Sequence, residues 1–181
     1  VGFIVLALYL MFVPYEKNES DKHKHLKSVR KMTRKQINLS IFLAFIAGMI
    51  VCANVAITLR IPSLVLQAEI GNAETASWIL SCMQLVGILA GVSFASLVSV
   101  LKNRLLTVMG IVFGLSQVMI GLSSQIWLLS LSALLAGFAY SVSLTAVFHI
   151  VSEKIPTHLV NRATAIVVLG CSSGASVSTF V

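Results

Sequence analysis

Two patterns in this sequence are of the kind that carry chemistry. Gly170, Cys171, Ser172, Ser173 and Gly174 match GxSxG, the arrangement that presents a serine hydroxyl as a nucleophile, and His149 is a side chain of the type that could act as its base. Such a hydroxyl needs a sharp strand-to-helix turn to stand clear, whereas these residues lie in an apolar run of small residues. An intramembrane serine hydrolase using Ser172 is therefore the alternative reading. His23 and His25 stand close together in a basic segment, but without the further ligands a metal needs they are read as solvated. Cys52, Cys82 and Cys171 all fall in apolar runs with no CxxC pair, which makes them packing residues. No metal and no cofactor are expected.

The remaining polar groups in apolar surroundings are Asn54, Thr58, Gln84, Gln117, Tyr140, Thr145 and His149. No Asp or Glu is expected within a span. Burying an amide in hydrocarbon without a partner costs on the order of 4 to 8 kcal/mol against an alkane reference, so each of these side chains must face protein or water. Ser141, Thr145 and His149 repeat every four residues, as do Asn54 and Thr58, and each set falls on one helical face. Bonding between helices and lining a solute pathway both satisfy that pattern.

The elements that must position these groups follow from composition. Hydrophobic residues make up 57% of the chain and charged ones 10%, with a mean hydropathy of +0.96; a soluble domain carries roughly a quarter charged residues. Runs of about 20 apolar residues match the roughly 30 Å hydrocarbon thickness at about 1.5 Å rise per residue. The apolar runs place helices at residues 1–13, 37–59, 76–101, 105–123, 126–152 and 163–181. The chain opens inside the first run and closes inside the last, so four complete spans are expected between two partial ones. After Pro62 the chain has two options: a kinked extension of the 37–59 helix to about Gln67, or an early return to the lipid ahead of the next span. The fold class is all-α, a polytopic transmembrane helix bundle, organised as residues 1–14, the end of a span; 15–36, a basic loop; and 37–181, further spans joined by short connections, so that consecutive helices are expected to be antiparallel neighbours.

Charge gives an independent check on the span count. Lys17, Lys22, Lys24, Lys27, Arg30, Lys31, Arg34 and Lys35 lie in the first connection, Lys102 and Arg104 in the third, and Lys154 and Arg162 in the fifth, leaving Arg60 alone of the 13 basic residues in an even-numbered one. Odd connections are therefore cytoplasmic, and the localisation is multi-pass in the cell membrane. The basic run of residues 22–35 sits between two spans, so its partner is anionic lipid rather than nucleic acid. Small residues at helical spacing, Gly87, Gly91, Gly110, Gly114, Gly137, Gly170 and Gly174, are candidates for close helix packing or for hinges.

The order of these features resembles the C-terminal six-helix half of a major facilitator superfamily transporter: the end of a sixth helix, a long basic loop, then helices seven to eleven. The turn Ser96–Gly110 is similar to that family's helix eight to nine loop, with Arg104 and Gly110 in the positions of its last Arg and following Gly, while Ala95, Ser99 and Asn103 replace its other residues. The stretch holding Pro156, Arg162, Ala165, Gly170 and Gly174 is similar to the family's passage from helix ten into eleven. The resemblance implies a secondary active solute transporter working by alternating access around a midplane site, with an N-terminal half as its partner. It further implies a small-molecule solute, a drug or metabolite, exported at the expense of the proton gradient, with protons as coupling ion. Asn54, Thr58, Tyr140, Thr145 and His149 become the pathway candidates. A non-transporting helical membrane subunit is a further alternative.

The charge pattern makes a direct forecast. Single cysteines at Asn18 and Asn72 in a cysteine-free background should react with an impermeant thiol reagent from opposite sides of the membrane, Asn72 from outside. Labelling of both from one side would overturn the span count.

Overall fold

The computed structural model describes residues 32–67, 69, 71–101, 104–123 and 125–180. The first apolar run and most of the basic loop, with His23 and His25, lie outside the described residues. Five helices follow one another: α1 (Arg34–Gln67), α2 (Ala73–Leu101), α3 (Leu105–Leu122), α4 (Ile126–Lys154) and α5 (Thr157–Ser178). Four of them, α1 to α4, are long and apolar enough to cross a membrane, matching the four complete spans that the sequence leads one to expect.

Local chemistry sets the helix ends. Thr33 opens α1: its carbonyl accepts the Gln36 and Ile37 N–H groups, and its own N–H donates to Gln36 Oε1 at 3.0 Å, one arm of a capping box. Arg34 and Lys35 thus form the first helical turn instead of belonging to the loop. Cations are unfavourable at a helix N-terminus by a few tenths of a kcal/mol, a small term beside the cost of drawing two charges into lipid. α1 then runs through Pro62 to Gln67, so of the two options the extension is adopted. Proline has no N–H for the Thr58 carbonyl, and the helix continues past that missing bond. The chain leaves α1 at Glu69, whose φ of 51° is the left-handed conformation common where helices stop. At the other joint, Ile155 is extended (φ −112°, ψ 132°), as steric contact with the Pro156 ring requires, and α5 starts at once, well before the expected Ala163. The helices also take in Glu74 and Glu153, both in terminal turns, where the apolar runs had placed no acid inside a span.

Side-chain size explains the packing. α4 carries the longest set of buried positions, many of them small: Ser132, Ala133, Ala136, Gly137, Ala139, Ser143 and Ala146. These small positions let neighbours approach closely, and α4 contacts each of the other four helices, while Trp127, Leu131 and Leu135 remain exposed. One core cluster joins Ile61 and Val65 of α1, Met83 of α2, Phe113 and Ile120 of α3 and Leu129 of α4; a second joins Ala90, Leu105, Met109 and Val142. Large apolar side chains point outward instead, among them Phe45, Ile88, Val92, Ile111 and Leu115, as a lipid solvent allows. Trp78 and Trp127, exposed by 66% and 84%, stand in the second turn of α2 and the first turn of α4, helices which start on one side of the bundle. Tryptophan concentrates at the headgroup level.

Sequence neighbours are not always the closest partners. α2 and α3 barely touch although only three residues separate them, while the most extensive contact is α1 with α5. That contact is backbone on backbone. A Cβ added at Gly48 would meet the Gly170 carbonyl oxygen at 2.7 Å, and one added at Gly170 or Gly174 would fall on the carbonyls of Ala44 and Gly48 respectively. On α2 and α4, a Cβ at Gly137 would meet the Met83 carbonyl at 2.6 Å and one at Gly87 the Ser141 hydroxyl at 2.7 Å. Residue numbers rise together along both members of each pair, so these helices run parallel. The expectation of antiparallel order concerned consecutive helices; these pairs lie two and four elements apart, and small-residue faces, which are self-matching at small-xxx-small spacing, pair them running the same way. Around Gly91, Gly110 and Gly114 no described atom lies within 4 Å of such a Cβ.

Gly170→Ala should therefore force α1 and α5 apart, at about 1 to 3 kcal/mol, and lower the melting temperature of the intact protein in detergent. Gly91→Ala should leave it unchanged or raise it, since alanine is the better helix former by up to about 1 kcal/mol. Equal melting of the two variants would contradict the packing described.

Candidate solute pathway

Serine and threonine in these helices mostly satisfy themselves. Thr58 Oγ1 donates to the Asn54 carbonyl at 2.8 Å, Thr145 Oγ1 to the Ser141 carbonyl at 2.8 Å, and Ser132 Oγ to the Leu128 carbonyl at 2.6 Å, each reaching back one turn as short hydroxyl side chains can. Amides cannot do this with both ends. Asn54 is 8% exposed, and its Oδ1 is buried with no hydrogen-bond partner among the described residues; Gln117 Oε1 and Nε2 and Ser143 Oγ are in the same condition. An unpaired buried polar atom costs about 1 to 3 kcal/mol, so these atoms mark either a cost the fold bears or a place where a further group enters.

Asn54 has a particular setting. Thr58 follows it by one turn and Pro62 by two, so along one face of α1 come an unpaired amide oxygen, a hydroxyl turned onto the helix, and a carbonyl that the proline ring leaves without its helical N–H. Ala53 and Ile57, which flank Asn54, pack on the larger core cluster, as does Tyr140 from α4. Tyr140 is half-buried, and its ring lies 6.4 Å from that of Phe113 of α3, tilted by 40°. That aromatic contact ties Tyr140 to the same cluster on which Ala53 and Ile57 pack.

Thr145 and His149 stand on the other side of α4's architecture. Their face meets α2: Ser141 lies against Gly87, and the His149 ring is edge-on to Phe94 at 5.8 Å. Thr145 is exposed. The His149 side chain is 43% exposed, with Nδ1 3.9 Å from Glu153 Oε2 one turn on. Asn54 and Thr58 are thus brought together, Thr145 and His149 share a second surface, and Tyr140 packs on the core cluster that also takes Ala53 and Ile57.

The described surface carries hollows in two places that bear on these residues. One of about 820 Å³ lies where α2, α3 and α4 come together at one end, and both His149 and Arg104 line it. The other, about 360 Å³, is an apolar groove along the α1–α5 contact, with Gly48, Gly170 and Gly174 in its wall. The GxSxG residues lie in the middle of an unbroken helix, Gly170 and Gly174 being spent on contact with α1. Ser173 Oγ donates to the Gly170 carbonyl at 2.8 Å, and the Ser172 carbonyl accepts from Ser176 Oγ at 2.9 Å. The strand-to-helix turn that a serine nucleophile of this pattern requires is not what these residues form. Among the described residues no group of three or more His, Cys, Asp or Glu could hold a metal.

Several contributors were absent from the sequence-derived site residues. Gly48 and Ala44 form the α1 side of the tightest helix contact, and their small-xxx-small spacing was there to be read. Ser143 gave no signal, since one serine among many discloses nothing about its partners. The pairing of Phe113 with Tyr140 and of Phe94 with His149 joins residues far apart in the chain.

Ser143→Ala tests the meaning of an unpaired atom. Ser143 is fully buried and its hydroxyl has no described partner, so removing the oxygen should leave the melting temperature unchanged or raise it. A loss worth more than about 1 kcal/mol would show that the hydroxyl is bonded in the intact protein.

Comparison with known proteins gives one match: the family model of the Major Facilitator Superfamily covers residues 1–179. No curated protein and no solved structure matches.

Proposed function

This chain belongs to the Major Facilitator Superfamily, a family of membrane solute transporters, and we propose that it forms the C-terminal part of a secondary transporter whose solute pathway passes the Asn54 face of α1. In that assignment α1 to α5 correspond to helices seven to eleven, residues 1–14 to the end of the sixth, and residues 15–33 to the basic loop between halves. The observation that carries the pathway is Asn54 itself: an amide oxygen with no described partner, in the apolar centre of a span, one turn from Thr58 and two from Pro62.

Alternating access follows from the same assignment. Two six-helix halves rock about a site between them, and the tight parallel pairs α1–α5 and α2–α4 would let this half move as rigid units. The solute is a small drug-like or metabolic molecule. For coupling to protons, an ionisable group must lie on the path. Within the described spans His149 is the candidate, beside Glu153; a carboxylate of the other half is the remaining place for it. The odd-numbered connections, including Arg104 and Lys154, face the cytoplasm in the cell membrane, and the basic loop lies on anionic lipid there.

The test is Asn54→Ala in the full-length protein reconstituted in vesicles. Solute flux or binding should weaken about tenfold, or about 1.4 kcal/mol, with melting temperature preserved, because water in an open pathway satisfies the groups left behind. An interhelical bond would give the reverse, roughly 0.6 to 2 kcal/mol lost from stability with affinity intact. Unchanged affinity and a lowered melting point would remove Asn54 from the pathway.

A further inference from the structure

The hollow of about 820 Å³ is bounded by Val98, Val100 and Leu101 at the end of α2, by Arg104, Leu105 and Leu106 at the start of α3, and by His149, Ile150, Glu153 and Lys154 at the end of α4. Its chemistry is divided. The floor is aliphatic, and the charges collect at the helix ends. Neither Arg104 nor Lys154 forms an ion pair with a described residue; the Glu153 carboxylate is turned to His149, at 3.9 Å, and is 65% exposed. The α3 N-terminus, where Arg104 is the cap residue, has no side-chain cap, so its first N–H groups add positive potential at the same edge.

Depth distinguishes what could fill it. α3 has 18 residues, a length of about 27 Å, barely the hydrocarbon thickness of about 30 Å. Arg104 just precedes α3 and so stands at the hydrocarbon boundary, the level of lipid phosphates, while Leu105, Leu106 and Ile150 stand on its acyl side. α4, with 29 residues, or about 44 Å, carries Lys154 to the same polar zone. Val100 in the wall is 77% exposed, and α3 continues away from the hollow with exposed Ile111, Leu115 and Leu122, an apolar track on which a chain can lie.

We propose that this hollow is a binding site for one phospholipid with an anionic headgroup: the phosphate is taken by Arg104 and Lys154, and an acyl chain lies against Val98, Leu105 and Ile150. The proposal rests on neither the basic loop nor Asn54. A soluble anion fits the cations but not the aliphatic floor, and a zwitterionic lipid fits the floor but brings its own cation to Arg104 and Lys154.

Native mass spectrometry of the full-length protein, released from detergent with either phosphatidylglycerol or phosphatidylcholine, reads the site without any transport assay. Phosphatidylglycerol should be retained in preference to phosphatidylcholine. In the double variant Arg104→Gln, Lys154→Gln its retention should fall by an order of magnitude or more. Arg162→Gln, which removes a nearby charge outside the hollow, should leave retention unchanged, and millimolar inorganic phosphate should not displace the lipid. Should the double variant fail to fold, Val100→Trp fills the wall while keeping both cations and should also shed the lipid. Equal retention of the two lipids, retention by folded double or Val100→Trp variants, an equal loss in Arg162→Gln, or displacement by phosphate alone would each overturn the proposal.

Discussion

Helices surrounded by lipid gain nothing from hiding apolar side chains from one another, because a lipid tail is as good a neighbour as a leucine. What remains is dispersion between closely fitted surfaces, and that grows as backbones approach. The rest of this bundle depends on that constraint. Where Gly48 meets Gly170 and Gly174, and where Gly137 and Gly87 meet α2 and α4, there is no room for even one methyl group. Many large aliphatic residues lie on the outside, and alanine, glycine and serine take most of the buried positions of α4.

The same scarcity of water governs the polar groups. A hydroxyl can return to a carbonyl of its own helix, and those of Ser40, Thr58, Ser116, Ser132 and Thr145 do so. This leaves them silent about function, since a self-satisfied hydroxyl has no need of a tertiary partner. Asn54 and Gln117 differ in kind, because an amide presents donors and an acceptor in opposite directions and one helix cannot serve both. Within a span an amide is thus a stronger indicator of a solute, a water or a neighbouring helix than any number of serines.

At the ends of the helices a third constraint takes over: charge must reach water and span length must match lipid thickness. A hollow opens at the common end of the short α3 and the longer α2 and α4, and Arg104 and Lys154 gather around it. Electrostatics and length mismatch, each unremarkable alone, thereby meet in the proposed lipid site, which neither would make separately. Pro156 contributes by starting α5 directly after α4, which leaves a joint of two residues at this end.

The sequence by itself determined the solvent, the number of complete spans and the family, because hydropathy, span length and charge placement are local or additive properties that need no contacts to be read. It also determined which polar residues had to be accounted for. The tertiary structure decided what a one-dimensional pattern leaves open: that α1 passes through Pro62 to Gln67, that Tyr140 turns to Phe113, that Gly170 and Gly174 are used against α1 while Gly91, Gly110 and Gly114 meet no described neighbour. Small-residue spacing shows only that a helix can be approached closely; whether it is, and by which partner, depends on the facing surface. Here that surface belongs to a helix two or four elements away in the chain, running parallel, and no local property of either helix encodes the pairing.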